Sequence, residues 1–289
     1  MSLQNWRGLR ASGLVRLRDA RVDDPEQELR WIIEQATGRS PSEQVAALDA
    51  PVTEREANHY DDMVARRVGG EPLQYVLGRW GFRTLDLLVD RRVLIPRPET
   101  EGVAGHALAA LASLDHPGRV VDLGTGSGAI ALSLAAERWP HVEVWATDAS
   151  ADALAVARAN LAALGRRAAV VRLVEGDWYA ALPADLRGRV DVIVSNPPYV
   201  AASDSLPPAV ADWEPTSALI PGPTGLEHID IIIDQAWEWL TTEGVLVVEI
   251  GETQGEAVLA FAAAAGFANA EVHPDQAGRD RTLVARRGT

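Results

Sequence analysis

After Arg119 the chain alternates short β-branched apolar runs with helical patterns, and few folds accept that alternation. Strands are predicted at Val120–Leu123, Val142–Thr147, Ala169–Val174, Val190–Ser195 and Val245–Ile250, with helices at Ala129–Glu137, Ala151–Leu164 and Ile229–Leu240. Successive strands separated by helices pair in parallel, and the right-handed crossover places the helices on both faces of one sheet. A last helix near Glu256–Ala265 precedes Ala270–His273 and Thr282–Arg286, which can close the sheet as a hairpin. The expected fold is therefore α/β, with a doubly wound, mainly parallel sheet.

The first part of the chain is built differently. From Leu3 to about Val76, apolar positions such as Leu29, Ile32, Ile33 and Ala36, and later Ala57, Tyr60, Val64 and Val68, recur at helical spacing. Gly38, Pro51 and Gly69-Gly70 punctuate them, and Thr53-x-x-Glu56 has the form of a capping box. A bundle of about four helices is predicted, serving either as a folding cap or as a docking module. The cluster Arg7, Arg10, Arg16, Arg18 and Arg21 reads as a solvated helix face. Residues 80–94 alternate apolar and polar positions around Asp90-Arg91-Arg92, which suggests a β-hairpin joining the two parts. The domain reading is a helical domain over 1–78, a hairpin linker over 79–95, and the α/β domain over 96–289.

Charge separates the same two parts. The formal net charge is −14, and every basic residue is an arginine. Residues 1–95 hold 14 of the 27 arginines and 15 of the 41 acids, which leaves 13 arginines against 26 acids afterwards. Such an acidic surface argues against wholesale binding to a nucleic-acid backbone. No cysteine is present, so disulfides and thiolate metal sites are excluded, and the six histidines show no paired i, i+4 spacing; no metal is expected. With no apolar run of membrane length and a polar start from Met1 to Arg10, the expected location is the cytoplasm, away from the membrane.

Two motifs carry chemistry. Val120-Val121-Asp122-Leu123 runs into Gly124-Thr125-Gly126-Ser127-Gly128 and then a helix. Glycines there permit a tight turn and let a nucleotide-type cofactor approach the backbone. Asp148, ending the next strand 24 residues beyond Gly124, is placed to accept hydrogen bonds from ribose hydroxyls. Gly124, Gly126 and Ala129 also satisfy the looser dinucleotide pattern, so the loop alone leaves NAD and S-adenosylmethionine both open. Asp177-Trp178, after the third strand, offers an acid for an adenine amine and a ring to pack on it, although Trp178 could equally be an aromatic at the rim of the core.

The second motif is Ser195-Asn196-Pro197-Pro198-Tyr199, at the end of the Val190–Ser195 strand. Two prolines remove two N–H donors and stiffen a loop that offers carbonyl acceptors; Asn196 adds an amide oxygen and Tyr199 a flat ring. That surface suits a planar group carrying N–H donors, an amide or a base amine; in isolation the motif could also be a mere turn.

Taken with Pro72-Leu73-Gln74-Tyr75-Val76-Leu77-Gly78, Ile95-Pro96-Arg97-Pro98-Glu99-Thr100-Glu101, and Glu214-Pro215 with Ala218-Leu219, the chain resembles the class I S-adenosylmethionine-dependent methyltransferases. Among them it closely resembles the family that methylates the side-chain amide nitrogen of a glutamine in peptide chain release factors. The resemblance implies a seven-stranded Rossmann-like sheet, S-adenosylmethionine as cofactor and release factors as partners. It implies that Asn196, Pro197 and Tyr199 act on the substrate amide with Pro198 beside them. It also implies that Gly124, Thr125, Gly126, Ser127, Gly128, Asp148, Asp177, Trp178, Arg97, Glu99 and Asn196 surround the cofactor. Thr224, where an acid is usual, and Asp212-Trp213 depart from the family pattern on the substrate side. Three other functions share parts of this pattern: a nucleic-acid amino methyltransferase, a non-catalytic cofactor-binding scaffold, and a nicotinamide oxidoreductase. The net charge, the intact acceptor motif, and Asp177-Trp178 respectively argue against them.

Overall fold

The structure is a computed structural model describing residues 5–288. It divides into two compact units: Met1–Arg79 with Pro207–Trp213, and Trp80–Leu206 with Glu214–Thr289. The start of the helical pattern at Leu3 lies outside the described residues.

Among the described residues the first unit holds five helices before residue 79: α1 (Trp6–Asp19), α2 (Pro25–Thr37), α3 (Pro41–Ala46), α4 (Glu54–Val68) and α5 (Leu73–Leu77). Asn5, Asp24 and Thr53 accept backbone N–H groups at the starts of α1, α2 and α4, and Thr53 with Glu56 forms the predicted capping box. Helices α3 and α5 are five or six residues long, too short to show a period. Leu29, Ile32, Ile33, Tyr60 and Val64 meet Trp6, Leu9 and Leu17 in one buried cluster. Gly13 is required there: a Cβ at that position would lie 1.9 Å from the Tyr60 hydroxyl, which itself donates to the Leu9 carbonyl at 2.9 Å.

The second unit opens with a two-stranded sheet, β1 (Arg79–Phe82) and β2 (Leu85–Leu88), followed by α6 (Thr100–Ala112). The hairpin turn falls at Arg83, not at Asp90–Arg92. Arg83 takes a positive φ of 52° because Glu101 accepts its backbone N–H at 2.9 Å and Glu137 holds its guanidinium. Asp90 and Arg92 instead pair with each other after the second strand.

The main sheet contains β3 (Gly118–Leu123), β4 (Val142–Asp148), β5 (Val171–Glu175), β6 (Val190–Ser195), β7 (Leu240–Glu249), β8 (Asn269–Pro274) and β9 (Asp280–Arg286), in the order β5-β4-β3-β6-β7-β9-β8. The first five pair in parallel; β9 runs antiparallel to β7 and β8. Helices α7 (Ala129–Arg138), α8 (Ala151–Ala163), α10 (Glu227–Trp239) and α11 (Gly255–Ala264) supply the crossovers and flanking layers, and one helical turn, α9 (Pro208–Ala211), interrupts the passage from β6 to α10. Every residue of β6 is buried, as expected of a central parallel strand covered on both faces. Several strand boundaries differ from prediction; β3 begins at Gly118 and β9 at Asp280, each two residues early. Gly165–Val170 forms a 3-10 turn, so β5 starts two residues late after its alanines, and β7 begins at Leu240 across an irregular register. Among the described residues no helix is long and apolar enough to cross a membrane.

Candidate active site

Strands β3 and β6 are neighbours, and Leu123 stands in register with Ser195. The Ser195 hydroxyl donates to the Leu123 carbonyl at 2.7 Å. Strand order reverses between these two strands, so the glycine loop after Leu123 and the Asn-Pro-Pro-Tyr loop after Ser195 leave the same edge side by side, where open α/β sheets bind ligands.

Backbone geometry shapes the glycine loop. Gly124, Gly126 and Gly128 all have positive φ; Gly124 and Thr125 N–H both donate to the Thr147 carbonyl at 2.9 Å. The Gly126 N–H donates to Asp148 Oδ2 at 2.8 Å, and the Ser150 N–H to Oδ1 at 2.9 Å, so the Asp148 carboxylate is oriented with a lone pair to spare on each oxygen. Burial raises its pKa against these two donors. Trp178 (φ 41°) lays its ring over Gly124, where a Cβ would come within 3.1 Å of the ring, and meets His228 edge-on at 5.1 Å between centroids.

These loops enclose a cavity of about 470 Å³. It brings together Gly124, Thr125, Gly126, Ser127, Asp148, Asp177, Trp178, Asn196 and Pro198 from the sequence candidates. Gly128, Pro197, Tyr199, Arg97 and Glu99 do not line it. Gly128 is the N-cap of α7, packed on Leu132. Arg97 pairs with Glu214, and Glu99 with Arg279 at 2.9 Å, so both charges are already matched by protein partners. Tyr199 donates to Glu249 Oε1 at 3.2 Å, with the Arg281 guanidinium 5.8 Å from its ring centroid. Burial, and then the Glu249 carboxylate, raises the Tyr199 phenol well above its ordinary value, which keeps it a neutral donor.

The side-chain nitrogen of Asn196 donates to Thr100 Oγ1 at 3.2 Å, which leaves its oxygen uncommitted in the cavity. Thr100, Asp122, Glu249, Arg281 and His228 were not singled out by sequence reasoning. Asp122 and Glu249 did carry a signal: each is an acid within a buried apolar run, Val120–Leu123 and Val245–Ile250. His228 had none.

Asp122 also tests the fit of a cofactor. Its Oδ2 accepts from Thr125 Oγ1 at 2.6 Å and the Ala131 N–H at 3.1 Å, while its buried Oδ1 has no partner. An orphaned acceptor in a cavity floored by glycine backbone suits a ligand carrying N–H donors. S-adenosylmethionine, with an α-ammonium, a ribose and an adenine amine, offers such groups to Asp122, Asp148 and Asp177. Among the described residues no group of three or more His, Asp or Glu is placed to hold a metal ion.

Comparison with known proteins gives the same reading. Residues 9–78 match the PrmC N-terminal domain and residues 104–212 the methyltransferase small domain. The release factor glutamine methyltransferase of Salmonella typhimurium is 38% identical over 99% of both chains, and that of Cereibacter sphaeroides 41% identical over 96% of both. The chain belongs to the release factor glutamine methyltransferase family. A methyltransferase crystal structure from Pyrococcus furiosus, 19% identical, covers 79% of this chain and all of its own with a TM-score of 0.52, and shares the fold. As a member of this family the chain uses S-adenosylmethionine as its cofactor, which the cavity fits.

Proposed function

We propose that this chain methylates the side-chain amide nitrogen of a glutamine in a peptide chain release factor. The observation that carries the reading is the Asn196 side chain, held by Thr100 at its nitrogen and free at its oxygen, in the same cavity as the glycine loop. When bound, S-adenosylmethionine supplies an electrophilic methyl group on a sulfonium. The protein's task is to present a nitrogen that is normally a poor nucleophile, its lone pair being delocalised into the carbonyl.

The Asn196 oxygen and the Pro197 carbonyl each accept one N–H of the substrate amide. That orients the nitrogen lone pair out of the amide plane and stabilises the positive charge that develops on it. No strong general base is needed, because the nitrogen becomes acidic as its new bond forms. Pro198 stiffens the loop, and Tyr199 braces it from behind through Glu249. Asp148 positions the ribose, Asp177 and Trp178 the adenine, and the backbone from Gly124 to Gly128 the rest of the cofactor. Arg97 and Glu99 support the wall through their own ion pairs. The first unit serves as a docking module for the protein substrate, and the reaction takes place in the cytoplasm without direct nucleic-acid binding.

Peptide-mapped mass spectrometry of an unmethylated release factor, incubated with the protein and S-adenosylmethionine, tests this. One added methyl on a loop glutamine, lost in Asn196→Ala while cofactor still binds, is expected. A wild-type protein that binds cofactor and leaves the release factor unmodified would refute the substrate assignment. A chain beginning at Trp80 that methylates the full-length release factor as well as the intact protein does would refute the docking role.

A further inference from the structure

Asparagine presents two ends of nearly equal shape, and only its oxygen can accept an amide N–H. What holds the Asn196 oxygen toward the substrate therefore matters as much as the residue itself. Its nitrogen donates to Thr100 Oγ1, and a hydroxyl that accepts this bond must send its own proton elsewhere.

Beside Thr100 lies Glu249, at the end of β7 and 1% exposed. Tyr199 donates to its Oε1, whereas its buried Oε2 has no partner at hydrogen-bond geometry. Glu249 does not line the cavity, whereas Thr100 and Asn196 do. We infer that Glu249 is a positioning residue for methyl transfer: as a carboxylate it draws the Thr100 hydroxyl proton toward itself, and so fixes Asn196 with its oxygen facing the substrate. The inference rests on the proposed methyl-transfer reading. Protonated Glu249 would be a donor; the Thr100 hydroxyl would turn toward Asn196 and favour the flipped amide, whose NH₂ opposes the substrate's own N–H groups.

The surroundings place this change within working pH. Burial pushes the Glu249 carboxyl up to about 7, against the Thr100 hydroxyl, the Arg281 guanidinium and the Tyr199 phenol, while Glu99 adds to the rise. Among the other charged groups on these elements, Arg279 pairs with Glu99, Asp275 Oδ2 lies 3.8 Å from Arg281 Nε, and Arg97 acts on Tyr199. Arg281 is committed to the Ile250 carbonyl at 2.9 Å, which keeps it in place as a fixed positive charge.

The test is steady-state methylation of a full-length release factor from pH 6 to 9 by wild type, Thr100→Val, Thr100→Ser and Glu249→Gln, with S-adenosylmethionine affinity measured by calorimetry. Wild-type kcat should fall as pH drops through about 7. Thr100→Val and Glu249→Gln should each lower kcat by about tenfold to a hundredfold. Glu249→Gln should bind cofactor as wild type does, and both variants should lack the acidic limb, while Thr100→Ser restores rate and limb together. Normal wild-type turnover with kcat within twofold in Thr100→Val, or an acidic limb that persists in Glu249→Gln, overturns this inference alone. Absence of wild-type product overturns the methyl-transfer reading and this inference with it.

Discussion

Glu214 holds Arg97 from 117 positions further along the chain, and its other oxygen accepts the Ile95 N–H at 3.0 Å. One carboxylate, 5% exposed, thereby ties the Ile-Pro-Arg-Pro-Glu-Thr passage to the Glu-Pro turn. This gives both stretches a shared structural purpose at the margin of the cavity.

Glu214→Ala should therefore destabilise the second unit. It leaves a backbone donor buried and a guanidinium without its acceptor, and the loss of hydrogen bonds to a charged group is worth about 2 kcal/mol. Urea unfolding checks this, and Glu214→Gln, which can still accept from Ile95, should lose less.

Gly13→Ala should be costly in the helical unit. Its methyl group would occupy the position of the Tyr60 hydroxyl, which the Leu9 carbonyl holds in place, and overpacking of this kind costs about 1–3 kcal/mol. Removing that hydroxyl with Tyr60→Phe should relieve part of the clash. The double variant should then be more stable than the sum of the two single losses predicts, which a double-mutant cycle by urea unfolding measures.

Asp122 gives a pH dependence with a definite sign. Burial raises its carboxyl to about 7 from an unfolded value of 3.8, against hydrogen bonds from Thr125 and Ala131. Between those values the folded protein holds a proton that the unfolded chain has released, so this group lowers stability as pH rises from about 4 to 7. Asp122→Asn removes the contribution. Its stability relative to wild type should climb over that window by at most about 1.4 kcal/mol per pH unit and level off above it, as urea titrations at several pH values will show.

Gly124→Ala should weaken cofactor binding. The φ of 72° costs an alanine roughly 1–2 kcal/mol, and its Cβ would press on the Trp178 ring at 3.1 Å. Calorimetry with S-adenosylmethionine should show a loss of about tenfold or more in affinity. Gly126→Ala has open space at its Cβ and should suffer from the backbone term alone.

How far the sequence revealed this protein depended on the range of the interactions involved. Strands β3 and β6 were legible because a parallel strand covered on both faces must be largely apolar, and the glycine loop because its backbone angles demand glycine. The short helices α3 and α5 were not, since neither completes enough turns to show a period. The hairpin turn was misplaced because Arg83 is held in its left-handed conformation by Glu101 and Glu137, partners that no local pattern announces. The site divided in the same way. Asn196 and Asp148 stand out by their places at strand ends, whereas Thr100 and Glu249 make their contacts to Asn196 and Tyr199 across 96 and 50 positions. Arg97 and Glu99, expected at the cofactor, carry charges that Glu214 and Arg279 match.

Asn160, on α8, makes three bonds that join distant pieces of the second unit. Its oxygen accepts the Leu88 N–H at 2.7 Å, and its nitrogen donates to the Leu88 carbonyl at 3.0 Å and to the Ser127 carbonyl at 2.8 Å. The end of the hairpin and the glycine loop thus hang from a single amide. The small sheet that opens this unit is thereby fastened to the loop that floors the cofactor cavity.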